Sequence, residues 1–330
     1  MLILAKAVLA VMIGFVFSSI FGLIIIPILR KMKAKQKISE YLTKTHQKKC
    51  GTPTMGGLIF IIPTLLATIA LLLMGRIEFG LYLLIVLFIF VSYAILGFID
   101  DYIKIKRKCN EGLSSKQKIL GQLLIASIFF LIFVSAGREP ILHIYTLGIK
   151  LDLGIYYYLF ILIVLVGFSN AVNLTDGLDG LAGGLSLIAF ATFGMIAWSA
   201  FWVSGNEDIA VFSFVLVGSL LGFLLFNSYP ARVFMGDTGS LSLGATLASI
   251  AIITSHELTL IIVAGVFVIV TLSVIIQVAS YKIRKKRVFL MAPLHHHFEQ
   301  LGWHENDIVK LFWAVGLLLS MAAITFGVWI

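Results

Sequence analysis

Long runs of apolar residues, separated by short polar segments, make up most of this chain. Most runs are about 18 to 25 residues long, the length that an α-helix needs to cross a hydrocarbon core roughly 30 Å thick. Strand-like alternation is absent, so the pattern favours membrane-spanning helices over a β-barrel. The predicted spans are Leu4–Leu29, Met55–Met74, Leu81–Ile99, Ile119–Ala136, Ile155–Val172, Leu181–Val203, Ile209–Phe226, Leu241–Thr254, Leu258–Tyr281 and Ile308–Ile330.

The eighth and ninth spans are separated because the stretch 240–282 is too long for one helix and has a polar break at His256–Glu257. The composition agrees with a membrane protein, since 60% of the 330 residues are hydrophobic and 12% are charged. Such a chain has too little polar surface to cover a water-soluble globule. The predicted fold class is an all-α integral membrane protein with about ten transmembrane helices, and residues 1–330 are expected to form a single domain.

The positions of lysine and arginine predict the orientation in the membrane. All but four of the 25 basic residues lie at Lys310 or in five connecting segments. By the positive-inside rule these segments face the cytoplasm, and an even number of spans then places both termini outside. The five segments are 30–52, 100–118, 173–180, 227–240 and 282–307.

Two smaller features complete the predicted organisation. The outer segment 137–154 has apolar and β-branched residues around Gly148, a pattern that allows a small hairpin on the outer surface. Cys50 and Cys109 both lie in predicted cytoplasmic segments, where thiols stay reduced. We therefore expect no disulfide bond.

Five aspartates stand where predicted spans end, and the topology places all of them on the cytoplasmic side. The chain has only 16 acidic residues, so this is a marked concentration. Carboxylates next to hydrocarbon are costly unless a cation or a proton-transfer task retains them. The pattern therefore predicts a functional site formed by Asp100, Asp101, Asp176, Asp179 and Asp237.

The residues around these aspartates indicate phosphate chemistry. The segment NAVNLTDGLDGLAGG at 170–184 combines acids and amides with glycines before a helix start, where N–H groups suit phosphate. Asp237 precedes a predicted helix and suits Mg²⁺, although an N-cap role explains it as well and can coexist. Three consecutive histidines at 295–297 favour phosphate contact over one transition-metal ion, because successive side chains diverge.

The segment KKCGTPTMGG at 48–57 has two lysines and a Gly/Thr/Pro turn, which is typical of a phosphate-binding site. The start of a helix with Pro53 near its first position explains the segment nearly as well. Oxygen ligands for a metal, glycine corners, lysines and histidines on one face are the components of phosphoryl transfer. Because this site lies at the membrane boundary, one substrate can be a lipid and the other a soluble phosphate compound.

The motifs also resemble those of a known family. They are TPTMGG at 52–57, the Asp100–Asp101 pair, NLTDGLDGLAGG at 173–184, NSYPARVFMGDTGS at 227–240 and PLHHHFE at 293–299. The motifs appear in the order of the polyprenyl-phosphate N-acetylhexosamine-1-phosphate transferase superfamily, which the chain resembles over nearly its whole length. PLHHHFE favours the branch that transfers phospho-N-acetylmuramoyl-pentapeptide.

The resemblance implies an enzyme of the bacterial inner (cytoplasmic) membrane with its active site on the cytoplasmic face. It would move phospho-N-acetylmuramoyl-pentapeptide from UDP-MurNAc-pentapeptide to undecaprenyl phosphate in the bilayer, giving lipid I and UMP. The cofactor implied is Mg²⁺, and the assembly implied is a homodimer with no nucleic-acid partner. A lipid phosphate is already nucleophilic near neutral pH, so direct attack is favoured over an aspartyl-phosphate intermediate.

The resemblance also implies roles for individual residues. Asp237 is the expected Mg²⁺ ligand and a catalytic residue, and His296, on a loop that closes over the site, is also an expected catalytic residue. Asp100 and Asp101 lie near the reacting phosphates, one of them as base or nucleophile. The expected substrate-binding residues are Lys48, Lys104, Lys116, Asn173, Asp176, Asp179, Asn227, Phe234, Gln277, His295 and His297.

Two other functions stay open at this point. One is a relative that transfers N-acetylglucosamine-1-phosphate from its UDP carrier to a polyprenyl phosphate. The other is a transporter for a nucleotide sugar or a cation, since intramembrane acids also line transport paths. A transporter predicts acids at mid-span and on both faces, whereas the acids of this site cluster on one.

Overall fold

The computed structural model describes residues 3–32, 51–107, 111–144, 147–199 and 205–327. In these ranges the chain forms helices and one two-stranded sheet. The helices are α1 (Ile3–Lys31), α2 (Leu58–Leu73), α3 (Leu81–Arg107), α4 (Ser115–Ser135), α5 (Tyr156–Thr175), α6 (Leu181–Trp198), α7 (Glu207–Asn227), α8 (Gly236–Ile253), α9 (Glu257–Val263), α10 (Gly265–Arg284), α11 (Leu294–Gln300) and α12 (Glu305–Gly327). The strands are β1 (Ile141–Ile144) and β2 (Ile149–Asp152).

The predicted class, an all-α membrane protein, is confirmed. Within the described residues, nine helices are long and apolar enough to cross a membrane, and α2 is a shorter apolar helix. Each predicted span coincides with a helix, except that the ninth is divided into α9 and α10 at Ala264. The predicted span Leu181–Val203 ends as a helix at Trp198, and residues 200–204 lie outside the described residues. The last three residues of the predicted span Ile308–Ile330 lie outside them as well.

Two helices extend further toward the predicted cytoplasmic side than hydropathy indicates. The segment 100–107, predicted as the start of a connecting segment, forms the last two turns of α3. Likewise, α8 begins at Gly236 instead of Leu241, so that Asp237 lies in its first turn. The reason is that hydropathy marks where side chains leave the lipid, whereas backbone hydrogen bonds continue the helix beyond that point.

Helix α8 lies at the centre of the bundle, and every residue of it except Gly236 is buried. Its neighbours include α3, α5 and α6. Small residues let backbones approach closely in membrane bundles. A methyl group added to Gly244 of α8 would lie 2.2 Å from the carbonyl oxygen of Phe168 in α5. On the other side of the bundle, a methyl group on Gly218 of α7 would lie 2.0 Å from the carbonyl oxygen of Val11 in α1.

The helices at the periphery expose apolar side chains that a lipid environment would cover. Continuous apolar surface of this kind is unusual on a water-soluble monomer. Examples from α1, α4 and α10 are Leu4, Val8, Met12, Leu23, Leu120, Leu124, Leu131, Ile269, Ile275 and Val278.

The predicted hairpin between α4 and α5 is confirmed. Strands β1 and β2 pair antiparallel, with His143 opposite Lys150. At the same end of the bundle, the Tyr157 hydroxyl donates a hydrogen bond to the carboxylate of Glu257, the first residue of α9. Both side chains are buried. This polar pair therefore lies at the end of the bundle opposite the five aspartates.

Candidate active site

Three of the predicted aspartates form one buried cluster. Asp100 and Asp101 lie near the end of α3, and Asp237 lies in the first turn of α8. Their carboxylate oxygens lie within 4.8 Å of one another. The two helices approach this closely at Gly97, where an added methyl group would lie 2.1 Å from the carbonyl oxygen of Asp237. A glycine one turn before the acid pair therefore sets the spacing of the cluster.

Asp101 caps the N-terminus of α8 from the neighbouring helix. The first N–H groups of a helix have no partner within it, and the side chain of Met235 at the N-cap position supplies none. Asp101 accepts hydrogen bonds from the backbone N–H groups of Asp237 (3.3 Å) and Thr238 (2.9 Å) and from the Thr238 hydroxyl (2.7 Å). Both oxygens of Asp101 are therefore used to hold α8 in place.

Two lysines lie between the other two carboxylates. Lys104 Nζ is 2.6 Å from Asp100 Oδ2 and 3.1 Å from Asp237 Oδ2. Lys118 Nζ, from α4, is 2.5 Å from Asp237 Oδ2 and 3.5 Å from Asp100 Oδ2. Buried carboxylates are costly unless they are paired, and these ammonium groups provide the pairing.

Lys118 was missed by the sequence analysis, which selected Lys116. The structure places Lys116 on the exposed side of the first turn of α4. A signal was present, because residues four apart share a helix face. Lys118 lies four residues before Gln122, which is buried with Ala126 on the side of α4 that packs into the bundle. The binding role predicted for Lys116 stays a prediction.

The end of α5 supplies the next part of the site. Asn173 donates hydrogen bonds to Asp237 Oδ1 (2.7 Å) and to the Ser240 hydroxyl (2.9 Å). Asp176 follows α5 directly and accepts the backbone N–H of Gly236. Burial raises the pKa of Asp176 to about 8, and repulsion from Asp237 contributes to the rise. The structure thus brings both predicted residues to the carboxylate cluster.

The side chains of Asp179 and Asn227 join two loops through hydrogen bonds. Asp179 Oδ2 accepts the backbone N–H of Ala231 (2.9 Å). Asn227 Oδ1 accepts the N–H of Gly180 (3.1 Å), and its Nδ2 donates to the carbonyl of Val233 (3.0 Å). These bonds join the loop after α5 to the loop before α8. In this structure the two residues therefore hold neighbouring loops together, and the nucleotide contacts predicted for them stay predictions.

Phe234 lies half-buried in the loop before α8. Its backbone N–H donates to the carbonyl of Pro53 (2.8 Å), and its carbonyl accepts the N–H of Gly56 (2.8 Å). The segment TPTMGG is thereby fixed beside Phe234. Lys48, which precedes this segment, lies outside the described residues.

The three histidines of α11 point in different directions, as the sequence pattern predicts. His295 is fully buried and packs on Gly177, where an added methyl group would lie 2.4 Å from His295 Nε2. His296 Nδ1 lies 2.5 Å from Glu299 Oε2, and His297 Nδ1 accepts a backbone N–H from the segment before α11. The histidine helix therefore contacts the site through the loop after α5.

Gln277 of α10 holds the segment that follows its own helix. Its Oε1 accepts the backbone N–H groups of Val288 (2.9 Å) and Phe289 (3.0 Å), and its Nε2 donates to the Phe289 carbonyl (3.0 Å). The substrate contact predicted for Gln277 stays a prediction. In the structure its amide shapes the chain that leads to α11.

Models of known protein families match the part of the chain that carries the cluster. The family model of glycosyl transferase family 4 matches residues 81–255, which include the three clustered aspartates. Phospho-N-acetylmuramoyl-pentapeptide-transferase signature 1 matches residues 49–61.

Full-length relatives carry the same name as that signature. Phospho-N-acetylmuramoyl-pentapeptide-transferases from Geobacillus sp. (strain WCH70), Anoxybacillus flavithermus (strain DSM 21510 / WK1) and Bacillus subtilis (strain 168) are 49%, 51% and 47% identical to the chain. The alignments cover 98%, 96% and 97% of the chain and equal shares of the relatives. The chain therefore belongs to glycosyl transferase family 4 and, within it, to the phospho-N-acetylmuramoyl-pentapeptide-transferases.

Proposed function

We propose that this protein transfers phospho-N-acetylmuramoyl-pentapeptide from UDP-MurNAc-pentapeptide to undecaprenyl phosphate, giving lipid I and UMP. The observation that carries the proposal is the buried cluster of three carboxylates and two lysines at the ends of membrane helices. Such a position suits a reaction between a lipid in the bilayer and a soluble nucleotide. An oxygen of the lipid phosphate attacks the phosphorus next to the sugar, and the bond from that phosphorus to UMP breaks.

The carboxylate cluster fits Mg²⁺, because its donors are all oxygens and three of them lie close together in a buried position. We propose Asp237 as the residue that would hold the ion, since both oxygens of Asp101 cap the start of α8 and Asp100 is assigned the proton-accepting role. When bound, Mg²⁺ would offset the negative charge that develops on the phosphate oxygens.

Phosphate binding, proton acceptance and positioning are assigned to side chains of the protein. Lys104 and Lys118 are placed to bind phosphate oxygens, because charge-assisted hydrogen bonds from ammonium groups orient such groups well. Asp100 is the proposed acceptor of a proton from the lipid phosphate. Asp101 positions Asp237 through α8. Direct attack requires only this positioning and one base, so no covalent aspartyl-phosphate is needed.

The proposed location is the bacterial cytoplasmic membrane, with the site on the cytoplasmic face. Support comes from the charge distribution: the clustered lysines and the exposed basic segment 282–287 lie in segments that the positive-inside rule assigns to that face. A homodimer stays a prediction.

A transfer assay on the purified protein tests the proposal. Protein in detergent receives undecaprenyl phosphate with either UDP-MurNAc-pentapeptide or UDP-N-acetylglucosamine, and UMP release is measured. We expect turnover only with the muramoyl substrate. Asp237→Asn should abolish it, whereas Asp307→Asn, at an exposed acid of α12, should not.

Each contrary outcome has a distinct meaning. Equal UMP release from UDP-N-acetylglucosamine would favour the N-acetylglucosamine-1-phosphate transferase. Solute movement across proteoliposomes without UMP release would favour a transporter. A trapped phosphorylated aspartate, or UMP release without the lipid substrate, would contradict direct attack.

A further inference from the structure

Glu305 is a buried acid to which the proposed reaction assigns no task. It lies in the first turn of α12 and is only 7% exposed. Its Oε1 accepts the backbone N–H of Asp179 at 2.7 Å, deep in the protein. A carboxylate is costly to bury unless hydrogen bonds compensate it, and a position at a helix N-terminus compensates it only partly. The hydrogen bond from Asp179 therefore offsets part of the cost of burying this carboxylate.

Two further contacts from the C-terminal part of the chain flank this one. His295 of α11 packs on Gly177. The indole N–H of Trp313, in α12, donates to the carbonyl of Leu181 at 3.4 Å. The loop between α5 and α6 is thus held on both sides of Asp179. Glu305 supplies the central contact of the three.

The loop between α5 and α6 is connected to the loop before α8 and to the carboxylate cluster. The side chain of Asp179 accepts the N–H of Ala231 in the loop before α8. Just before the loop, in the last turn of α5, Asn173 donates to Asp237 in the carboxylate cluster. A shift of the Asp179 backbone would therefore be transmitted to the loop that carries Phe234 and, through α5, toward the cluster.

We propose that Glu305 is a positioning residue for the nucleotide substrate. It keeps the loop after α5 in its binding conformation by accepting the backbone N–H of Asp179, and it acts through its oxygen acceptor. This inference rests on the proposed function. Because Glu305 acts through the backbone of the loop after α5, its loss should weaken substrate binding more than it slows the chemical step.

The test compares Glu305→Ala and Glu305→Gln with Asp307→Ala. Asp307 is an exposed acid in the same helix turn, so its removal costs the same charge near the helix N-terminus without touching the loop. We expect Glu305→Ala to raise KM for UDP-MurNAc-pentapeptide roughly tenfold or more, with kcat changed less than about threefold. Glu305→Gln keeps an acceptor oxygen and should restore KM to within about threefold, and Asp307→Ala should match the wild type.

Hydrogen exchange on the full-length protein gives a readout that does not depend on activity. Peptides covering 176–181 and 228–235 should exchange faster in Glu305→Ala, but not in Glu305→Gln or Asp307→Ala. Unchanged KM and exchange in a folded Glu305→Ala protein would overturn the inference, as would a Glu305→Gln protein as impaired as Glu305→Ala. A wild type that releases no UMP would instead refute the proposed function, and the exchange measurement would still test the contact.

Discussion

Gly97 controls the distance between the two helices that carry the carboxylates, which makes Gly97→Ala a sharp test of the site. A methyl group at this position would lie 2.1 Å from the carbonyl oxygen of Asp237 and 2.7 Å from the backbone nitrogen of Thr238. Both atoms belong to the backbone of the first turn of α8. Because no side-chain rotation can relieve this contact, the substitution must push α3 and α8 apart at the cluster.

The size of the effect follows from these distances. Ordinary van der Waals contact begins near 3.4 Å, so the helices must separate by about 1 Å. The bonds from Thr238 to Asp101, now 2.9 and 2.7 Å, would then approach or exceed the limit of a hydrogen bond. A misplacement of about 1 Å costs on the order of 10²-fold in rate. Overpacking adds a loss of stability of about 1–3 kcal/mol.

UMP release from UDP-MurNAc-pentapeptide measures the result, and Gly167→Ala is the matched control. Gly167 lies in α5, and a methyl group added there meets no other atom within 4 Å. We expect kcat to fall roughly 100-fold in Gly97→Ala and to stay within about twofold in Gly167→Ala. Size-exclusion chromatography and thermal unfolding identify the folded fraction. A folded Gly97→Ala protein with more than about a third of wild-type activity would refute the reasoning.

Three further predictions follow from the same structure. Lys118→Ala should lower turnover roughly tenfold or more, because it removes charge-assisted bonds to Asp237, whereas the exposed Lys116→Ala should stay within about twofold; the opposite order would contradict the assignment. EDTA should stop turnover and added Mg²⁺ should restore it in the wild type, whereas Asp237→Asn should stay inactive at any Mg²⁺ concentration. Burial raises the pKa of Glu257 from 4.5 to about 7, so the folded protein holds a proton there that the unfolded chain releases between these values. The thermal midpoint should therefore fall between about pH 5 and about pH 8, and Glu257→Gln should lessen this fall.

Hydropathy was sufficient to predict the long helices except for the division between α9 and α10, and the position of the aspartates at span ends was sufficient to predict the cluster of Asp100, Asp101 and Asp237. They could not locate the helix ends at the site, because hydropathy reports the transfer of side chains into lipid and not the continuation of backbone hydrogen bonds. For this reason 100–107 was assigned to a connecting segment, although it forms the end of α3. Lys116 and Lys118 could not be separated by composition, since both lie in the same basic segment.

Residues that act through the backbone were the hardest to predict. Glu305 lies outside the motifs on which the site was predicted. Its partner is a backbone N–H group that any residue at position 179 other than proline would provide. Asp179 and Asn227 belong to motifs, but no local pattern indicates that their side chains bond to neighbouring loops. Such contacts depend on how distant segments meet, which local patterns do not encode.

Asp100 and Asp101 have different contacts because consecutive residues of a helix point in different directions. Successive residues of a helix point about 100° apart. Asp101 therefore meets the free N–H groups of α8, whereas Asp100 lies on the face of Lys104, four residues later. Acids three or four residues apart would share one face, leaving the start of α8 uncapped and placing two like charges together. Because both oxygens of Asp101 accept hydrogen bonds from the start of α8, the proton-accepting role in the proposed reaction falls to Asp100.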